Sequence, residues 1–537
     1  MRVRIGIAQI NTHVGAIESN TSKVLSIIES ARDKEKCDLL VFPELVISGY
    51  PPEDLLFRND MSSRINASIE CLKSETKGIS ICIGFPEYKK DSIFNSALFI
   101  SNGKELARHR KLILPNYSVF DEKRYFNPGK KVSVFDFKGI KFSTLICEDA
   151  WEDRTFDLAC MQGANIVIII NASPFHIDKH SMREKIFSLK SRRNKVPVIY
   201  VNMIGGQDEL VFDGASFVLD SGGDIIYRAA RFSEQVSYIQ IKNNHPVIEF
   251  NSDSLLSEPS SIKSIYDALV LGVRDYVKKN NFNHVVLGLS GGIDSALTLC
   301  VAHDALGKDK VKAVMMPSRF TSKISKEDSK LQAKILGVDF EEISIESIFQ
   351  SILKSLKYIF SELDEDITEE NIQARCRSII LMAISNKMGS LVLATSNKSE
   401  IAVGYGTLYG DMAGGFAPLK DCSKTLVYQL ADYRNGISLA IPERVITREP
   451  TAELRENQKD SDSLPDYQIL DKILEAFVEK DFSIEQIVKL GFDSEVVKKI
   501  IDLVKKNEYK RKQAPPGVKI SQRAFGRDWR YPITSDY

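Results

Sequence analysis

Residues 285–297 read VVLGLSGGIDSAL, and the fold of the second half of the chain is decided there. Val285–Leu289 is an apolar run rich in β-branched residues, with the length of a buried strand. Ser290, Gly291 and Gly292 form a tight turn, and from Ala296 onward ALTLCVAHDAL carries apolar residues at helical spacing. Glycines in such a turn let the backbone approach a ligand with no Cβ in the way. The helix start then aims free N–H groups and a partial positive charge at the same point. This arrangement suits a phosphate or pyrophosphate. Asp294 would repel phosphate unless a cation lay between them, and Mg²⁺ prefers one or two carboxylates together with phosphate oxygens. The loop is not a Walker loop, because no Lys follows the glycines within the turn. An ordinary Gly-rich βα turn is the plain alternative.

Around this point the chain has a βαβ rhythm. Helix Ile262–Lys279 leads in, and strands Val285–Leu289, Val311–Met316, Phe340–Ser344 and Leu391–Thr395 alternate with long helices to about residue 435. A doubly wound parallel sheet is the expected result. Residues 246–261, with the Ser-rich NSDSLLSEPSS, read as a linker, which divides the chain into 1–245 and 262–537. In the first part the strands expected are Arg2–Ile10, Leu39–Phe42, Ile79–Ile83, Ser96–Ile100, Phe142–Ile146, Ile166–Ile170, Val198–Val201 and Ala215–Leu219. Helices fit Ser19–Asp33, Phe156–Gln162 and Ser181–Asn194, and Phe217–Arg228 reads as a hairpin. Many short strands with few helices predict stacked sheets flanked by helices. The end, Lys510–Tyr537, is rich in Arg, Lys, Pro and aromatics and reads as a docking tail or a mobile terminus.

At 537 residues, a prior of roughly 150 residues per domain gives three or four domains, fewer if the α/β units are large. Lys+Arg and Asp+Glu are both 72, so net charge gives no reason to expect nucleic acid or a bilayer as partner. Gln9, Asn11 and Thr12 interrupt the apolar start before a signal-peptide core could form, and no apolar run approaches the roughly 18 residues of a spanning helix. The eight cysteines include no C-x-x-C pair and read as reduced thiols, which predicts a cytoplasmic enzyme. The seven histidines show no zinc-ligand spacing with them.

Three strand ends in the first half carry reactive side chains. Glu44 ends LLVFPEL, Cys147 ends the strand in FSTLICEDAW, and Lys111 lies in RHRKLILPNYSVFDEKRYF. A thiolate nucleophile needs a base and nearby positive charge, which a Glu and a Lys supply, and the Lys can also steady an oxyanion. Taken singly, Cys147 reads equally as a buried thiol, Glu44 as a turn residue after Pro43 and Lys111 as a solvated charge. Papain-like chemistry would need a His in a comparable position, and none is present.

Together FPEL, the Lys before LPNYxVFDExRYF, and CEDxW resemble the glutaminase branch of the nitrilase superfamily. The resemblance implies an αββα sandwich with Glu44 as general base, Lys111 stabilising the tetrahedral intermediate and Cys147 forming a thioester with glutamine. It further implies that Glu122 positions the lysine, that Tyr117 contacts substrate, and that Ser173 and Arg183 hold the glutamine α-groups.

SGGIDS resembles the pyrophosphate loop of the ATP pyrophosphatases. The longer run 370–430, with LVLAT, Asn-Lys-Ser-Glu, Gly410-Asp411 and Ser423-Lys424 in order, resembles NAD synthetase. The implied fold is a doubly wound sheet of the adenine nucleotide α hydrolase type. Asp294 and Glu400 would hold Mg²⁺. Ser290, Gly291, Gly292, Ser295, Thr395 and Lys424 would bind ATP, and Asp411 would deprotonate the attacking ammonia. Arg375 and Glu453 would hold the dinucleotide. Taken alone, Glu400 on a helix is commonly a solvated charge, Asp411 between glycines a turn residue, and Arg375 with Arg377 a surface face.

Joined in one chain, the two resemblances imply glutamine-driven amidation of nicotinate adenine dinucleotide, with ATP as substrate and a homo-oligomeric assembly. NAD would be a product and not a redox cofactor, in keeping with the lack of a GxGxxG fingerprint in the second half. Two rivals are another ATP-pyrophosphatase amidotransferase, acting on xanthylate or aspartate, and a catalytically dead ligand-sensing or scaffolding protein.

Overall fold

In the computed structural model, residues 2–243, 246–249, 259–456, 458–462 and 464–535 are described. The chain divides into two compact units, Met1–Pro259 and Ser260–Tyr537.

The first unit is two sheets between two layers of helix. One seven-stranded sheet runs Pro246–Glu249, Gln235–Asn243, Arg2–Gln9, Leu39–Val41, Ser80–Lys89, Ser92–Ser101, Lys104–Arg110 in spatial order. Its three middle strands are mutually parallel. The other sheet has six strands, in the order Ile225–Arg228, Phe217–Leu219, Val198–Asn202, Ile166–Asn171, Ile140–Ile146, Val134–Phe137. Side chains alternate between the faces of a strand, and the layers follow from that. Ile166, Ile168 and Ile170 pack with Val3, Ile5 and Ile7 in the core between the sheets. Val167 and Ile169 point the other way, onto Phe156 and Phe187 of the helices Asp153–Met161 and Lys179–Asn194. On the outer face of the first sheet, Ala8, Leu40 and Phe42 meet Val24, Ile65 and Ile69 of the helices Ile17–Asp33 and Met61–Ser74. This is the expected αββα sandwich.

Pro246–Glu249, assigned above to the start of the linker, is instead an edge strand paired with Gln235–Asn243. Residues 250–258 of that linker lie outside the described residues.

The second unit has a four-stranded parallel sheet, ordered Asp339–Glu342, Val311–Met315, Val285–Gly288, Leu391–Leu393. Val286, Val314 and Val392 pack against Phe349, Ile372 and Cys376 on one face. Helices Ser261–Lys279 and Ile293–Leu306 bury Leu269, Val273, Ala296 and Leu299. The strand order reverses its direction of growth at Val285–Gly288, the strand before the SGG loop, which is where open α/β sheets place a ligand crevice. A helical cluster, Tyr467–Leu474, Ile484–Val488 and Ser494–Lys506, packs on Ile401–Val403. The C-terminal segment is neither a free tail nor a docking arm over most of its length. Phe525 and Trp529 are buried in that cluster, and the Trp529 indole donates to Glu508 at 2.9 Å. Among the described residues, no helix is long and apolar enough to cross a membrane.

Candidate active sites

The parallel strands of the first unit bring their C-terminal ends together. Glu44 follows Leu39–Val41, Cys147 follows Ile140–Ile146, Ser173 follows Ile166–Asn171, and Lys111 follows the edge strand Lys104–Arg110. Cys147 occupies a sharp strand-to-helix turn with φ +45°, and its N–H donates to Ile170 O at 3.0 Å. Such a conformation is strained for a residue with a Cβ and recurs where a nucleophile must be presented. Lys111 Nζ donates to Glu44 Oε1 at 2.7 Å and to Glu122 Oε1 at 2.8 Å, and all three side chains are buried. Glu44 is held further by Asn95 Nδ2 at 2.7 Å and the Ala172 N–H at 2.8 Å, and Glu122 by the Tyr50 hydroxyl at 2.9 Å.

The electrostatics define resting protonation states. Burial works against the Lys111 charge, but the carboxylates of Glu122 and Glu44 outweigh it and hold the ammonium well above its ordinary range. Burial lifts the Glu122 carboxyl above the usual range, with Lys111 opposing. Burial, reinforced by Glu44, lifts the Cys147 thiol well above its ordinary value, so the resting residue is a thiol. To act as a nucleophile such a thiol would have to lose its proton, and a nearby carboxylate could take it.

Around the three, Asp149 is a residue that sequence reasoning passed over. Its fully buried carboxylate accepts from the Leu112 and Ile113 N–H groups at 2.8 and 2.9 Å, and from the Ile146 N–H at 3.2 Å. His109 Nε2 lies 2.7 Å from Oδ2, the oxygen that accepts from Ile146, while Leu112 and Ile113 share Oδ1. One side chain therefore ties the segment bearing Lys111 to the turn bearing Cys147. Its position two residues after Cys147 was the available signal.

Tyr117 is exposed and its hydroxyl donates to Glu148 at 3.1 Å. The Ser173 N–H donates to Asn202 Oδ1 at 2.9 Å. Arg183 is wholly buried. Its guanidinium donates to Asp213 at 2.7 Å, to the Ser173 and Pro174 carbonyls at 2.8 and 3.0 Å, and to the Ser173 hydroxyl at 3.2 Å. In this arrangement Arg183 supports the Ser173 backbone.

In the second unit a cavity of about 480 Å³ opens over the SGG loop, within the size range of small-molecule sites, roughly 300–1,000 Å³. Ser290, Gly292, Asp294, Ser295, Thr395, Glu400, Asp411, Lys424 and Glu453 all line it. Gly291 lies behind this wall at φ +83°, where a Cβ would stand 2.6 Å from Ser325 O, so only glycine fits. The Ser295 hydroxyl donates to Gly292 O at 2.9 Å and accepts from the Ser290 N–H at 3.2 Å, bracing the loop at the helix N-terminus.

Lys424 Nζ donates to Asp294 Oδ2 at 2.6 Å and to Glu400 Oε1 at 3.1 Å, and Asn397 Nδ2 holds the other Asp294 oxygen at 2.8 Å. Burial lifts the Glu400 carboxyl above its ordinary range, Lys424 opposing it. Two carboxylates from different elements thus converge on one cation at the cavity wall. That donor set fits Mg²⁺, which takes one or two carboxylates and completes its shell with water and phosphate oxygens. Asp411 faces the cavity and accepts from the Thr407 N–H at 2.7 Å. Though open to the cavity it is enclosed by protein, and this poor solvation lifts its carboxyl above the ordinary range.

Glu453 accepts from the Ser325 hydroxyl at 2.7 Å and the Ser322 N–H at 3.2 Å, so its carboxylate is anchored to the helix start at Lys323. Arg375 is not brought to the cavity. It is exposed and donates to Leu408 O at 3.3 Å, whereas Arg377 lines the wall. The reason is helical phase, since residues two apart on a helix face different sides.

A buried Cys–Glu–Lys cluster in an αββα sandwich and a nucleotide-type cavity over a parallel sheet define a two-part amidotransferase. Residues 4–245 match the carbon-nitrogen hydrolase family and residues 265–514 the NAD synthase family. The glutamine-dependent NAD(+) synthetase of Acinetobacter baylyi is 47% identical over 537 residues, covering 99% of this chain and 98% of that protein. That of Aquifex aeolicus is 44% identical over 567 residues, covering all of both. The solved structure of glutamine-dependent NAD+ synthetase from Acinetobacter baumannii in complex with ADP is 44% identical with a TM-score of 0.81, covering 99% of this chain and 98% of that one. The chain belongs to the glutamine-dependent NAD(+) synthetase family.

Proposed function

We propose that the chain makes NAD from nicotinate adenine dinucleotide, ATP and glutamine, releasing AMP, pyrophosphate and glutamate. The observation that carries this reading is the presence in one chain of both sets of groups: a buried Glu44–Lys111–Glu122 cluster beside Cys147, and a cavity joining the SGG loop to Asp294, Glu400 and Lys424.

In the first reaction Glu44 takes the Cys147 proton as sulfur attacks the glutamine carboxamide. Lys111 stabilises the oxyanion of the tetrahedral intermediate, and the returned proton lets ammonia leave. Water, deprotonated by Glu44, then splits the thioester to glutamate. Glu122 and Tyr50 hold Lys111 charged and aimed. Tyr117 and Ser173 bind glutamine, with Arg183 fixing the Ser173 segment. In the second reaction the nicotinate carboxylate attacks the α-phosphorus of ATP, and pyrophosphate leaves. Ammonia displaces AMP from the resulting adenylate while Asp411 accepts its surplus proton. Ser290, Gly291, Gly292, Ser295, Thr395 and Lys424 bind ATP, and Glu453 borders the dinucleotide. Arg375 would meet that ligand only beyond the cavity. Asp294 and Glu400 would hold Mg²⁺, which supplies charge neutralisation on the phosphates. The ammonia is handed from the first site to the second sheltered from water, because ammonium is not a nucleophile. A cytoplasmic homo-oligomer is the expected form.

The test is NAD formation from nicotinate adenine dinucleotide and MgATP with glutamine or ammonium chloride, for wild type and Cys147→Ala. The variant should lose glutamine use and keep ammonia use. If neither donor yields NAD while ATP is split with another carboxylate, the acceptor is wrong.

A further inference from the structure

The helix start after the SGG loop offers backbone N–H groups to phosphate, but the loop, unlike a Walker loop, has no lysine of its own. Lys424 is already shared between two carboxylates. A leaving pyrophosphate gains negative charge, so the site needs a further cation near the loop. We propose that Arg448 is that cation, binding the pyrophosphate end of ATP through its guanidinium. The inference rests on the reading of this cavity as the ATP site.

The geometry is specific. Arg448 follows the short helix Glu443–Thr447 and lines the cavity. Its Nη2 donates to Gly291 O, a carbonyl of the loop itself, at 3.1 Å, and its Nη1 donates to the Ser325 hydroxyl at 3.0 Å. These bonds use two of five guanidinium N–H donors, leaving others for phosphate oxygens. Arginine suits the task because its planar fork engages phosphate through paired hydrogen bonds. Glu453 Oε1 lies 3.8 Å from Arg448 Nη1 while also accepting from the Ser325 hydroxyl. Glu453 therefore acts as the counter-ion that positions Arg448, a role different from the dinucleotide contact given to it above. In the adenylation step the carboxylate oxygen bonds to the α-phosphorus. The bond from that phosphorus to the bridging oxygen breaks, and the electron pair stays on pyrophosphate, where the Arg448 N–H groups receive the added charge.

The test uses the full chain with ammonium as nitrogen donor, so that the first unit's chemistry does not enter. Arg448→Met should lower kcat by about 10²-fold, the scale for losing one preorganised donor to a developing anion. Inhibition by added inorganic pyrophosphate should weaken by about tenfold, with KM for nicotinate adenine dinucleotide and glutamine hydrolysis unchanged. Arg448→Lys should restore part of both losses, and Glu453→Gln should cost less than Arg448→Met. Unchanged kcat and pyrophosphate inhibition in Arg448→Met would overturn the proposal. So would a loss that falls equally on both substrates' KM with a lowered melting temperature, which marks a merely structural arginine. A wild type that makes no NAD from ammonium and ATP would overturn instead the reading of the site itself.

Discussion

Replacing Lys111 by Met tests the physical core of the first site. Lys111 is 1% exposed and holds two carboxylates, at 2.7 and 2.8 Å, whose side chains are 0 and 5% exposed. Methionine keeps most of the length and removes the charge, leaving Glu44 and Glu122 as buried acids with no cation between them. Breaking a buried ion pair in this way costs roughly 3–5 kcal/mol, because the desolvated charges lose their compensation. For a unit of this size that lowers the melting temperature of the first unit by roughly 6–20 °C. Neutralising the second carboxylate as well should restore part of the loss, so Lys111→Met/Glu122→Gln should melt higher than Lys111→Met. The pH dependence has a definite sign. With the cation gone, the Glu122 carboxyl, already lifted by burial, loses the charge that opposes the rise, so the single variant should be stabilised as pH falls towards 5. Calorimetry on the full chain reads the melting, and ammonia-driven NAD formation reports on the second unit independently. If Lys111→Met melts within about 1 °C of wild type at pH 7.5, less than the smallest loss expected for a broken buried pair, the buried charge network is not a stability element and the argument fails.

Asp149→Asn should keep the two bonds from Leu112 and Ile113 through its remaining carbonyl oxygen but set an amide donor against the Ile146 N–H and His109. Its glutaminase kcat should fall by 10²-fold or so, with KM for glutamine little changed, as for loss of near-attack geometry. Glu87 is buried and holds Arg110, Ser96 and Arg108. Burial opposes its charge, yet these partners bring its carboxyl down from 4.5 to about 2. A depressed carboxylate stabilises above its unfolded value, and that benefit is lost as pH falls through about 4.5 towards 2. The contribution is about 3 kcal/mol at neutral pH, so Glu87→Gln should melt lower than wild type at pH 7 and converge with it in acid. Gly291→Ala should abolish NAD formation from ammonia while glutamine hydrolysis continues, since its Cβ would meet Ser325 O at 2.6 Å. Chelating Mg²⁺, or changing Asp294 to Asn, should stop ATP cleavage with glutamine hydrolysis intact.

Much of this was legible from local pattern. The central strands of the sandwich are continuous apolar runs because both their faces are covered, as Ile166–Asn171 demonstrates. The edge strand Lys104–Arg110 was missed because KELARHR carries four charged side chains and a histidine among seven residues. Its polar groups are buried only through partners far away in sequence, Glu87 for Arg108 and Arg110, and Asp149 for His109. Gln235–Asn243 and Pro246–Glu249 likewise owe their strand state to pairing with Arg2–Gln9 and with each other, which no local window contains. At the sites, Cys147, Glu44 and Lys111 announce themselves by sitting at strand ends. Asp149, Asn95 and Arg448 act through backbone groups or neighbours, and their partners are set by the tertiary fold alone.

Both sites place one lysine between two carboxylates, but they differ in exposure, and that difference separates their roles. In the first, Lys111, Glu44 and Glu122 are sealed from solvent, so only a proton can change the charge of the cluster. Such a site can move protons between fixed groups: Lys111 is held charged between the two carboxylates, and the Cys147 proton has a place to go. In the second, Asp294 and Glu400 remain 17% exposed on a cavity wall while Lys424 reaches them from behind at 3%. The carboxylates are reachable from the cavity, so Asp294 and Glu400 would be the groups to hold a divalent ion there, and the ion would supply charge neutralisation. The same three-charge arrangement therefore answers only to protons where it is closed and would also answer to a cation from the cavity where it is open. At the second site Ser399 and Asp471 hold the backbone of the helix turn that Lys424 starts, so its side chain can face the two carboxylates.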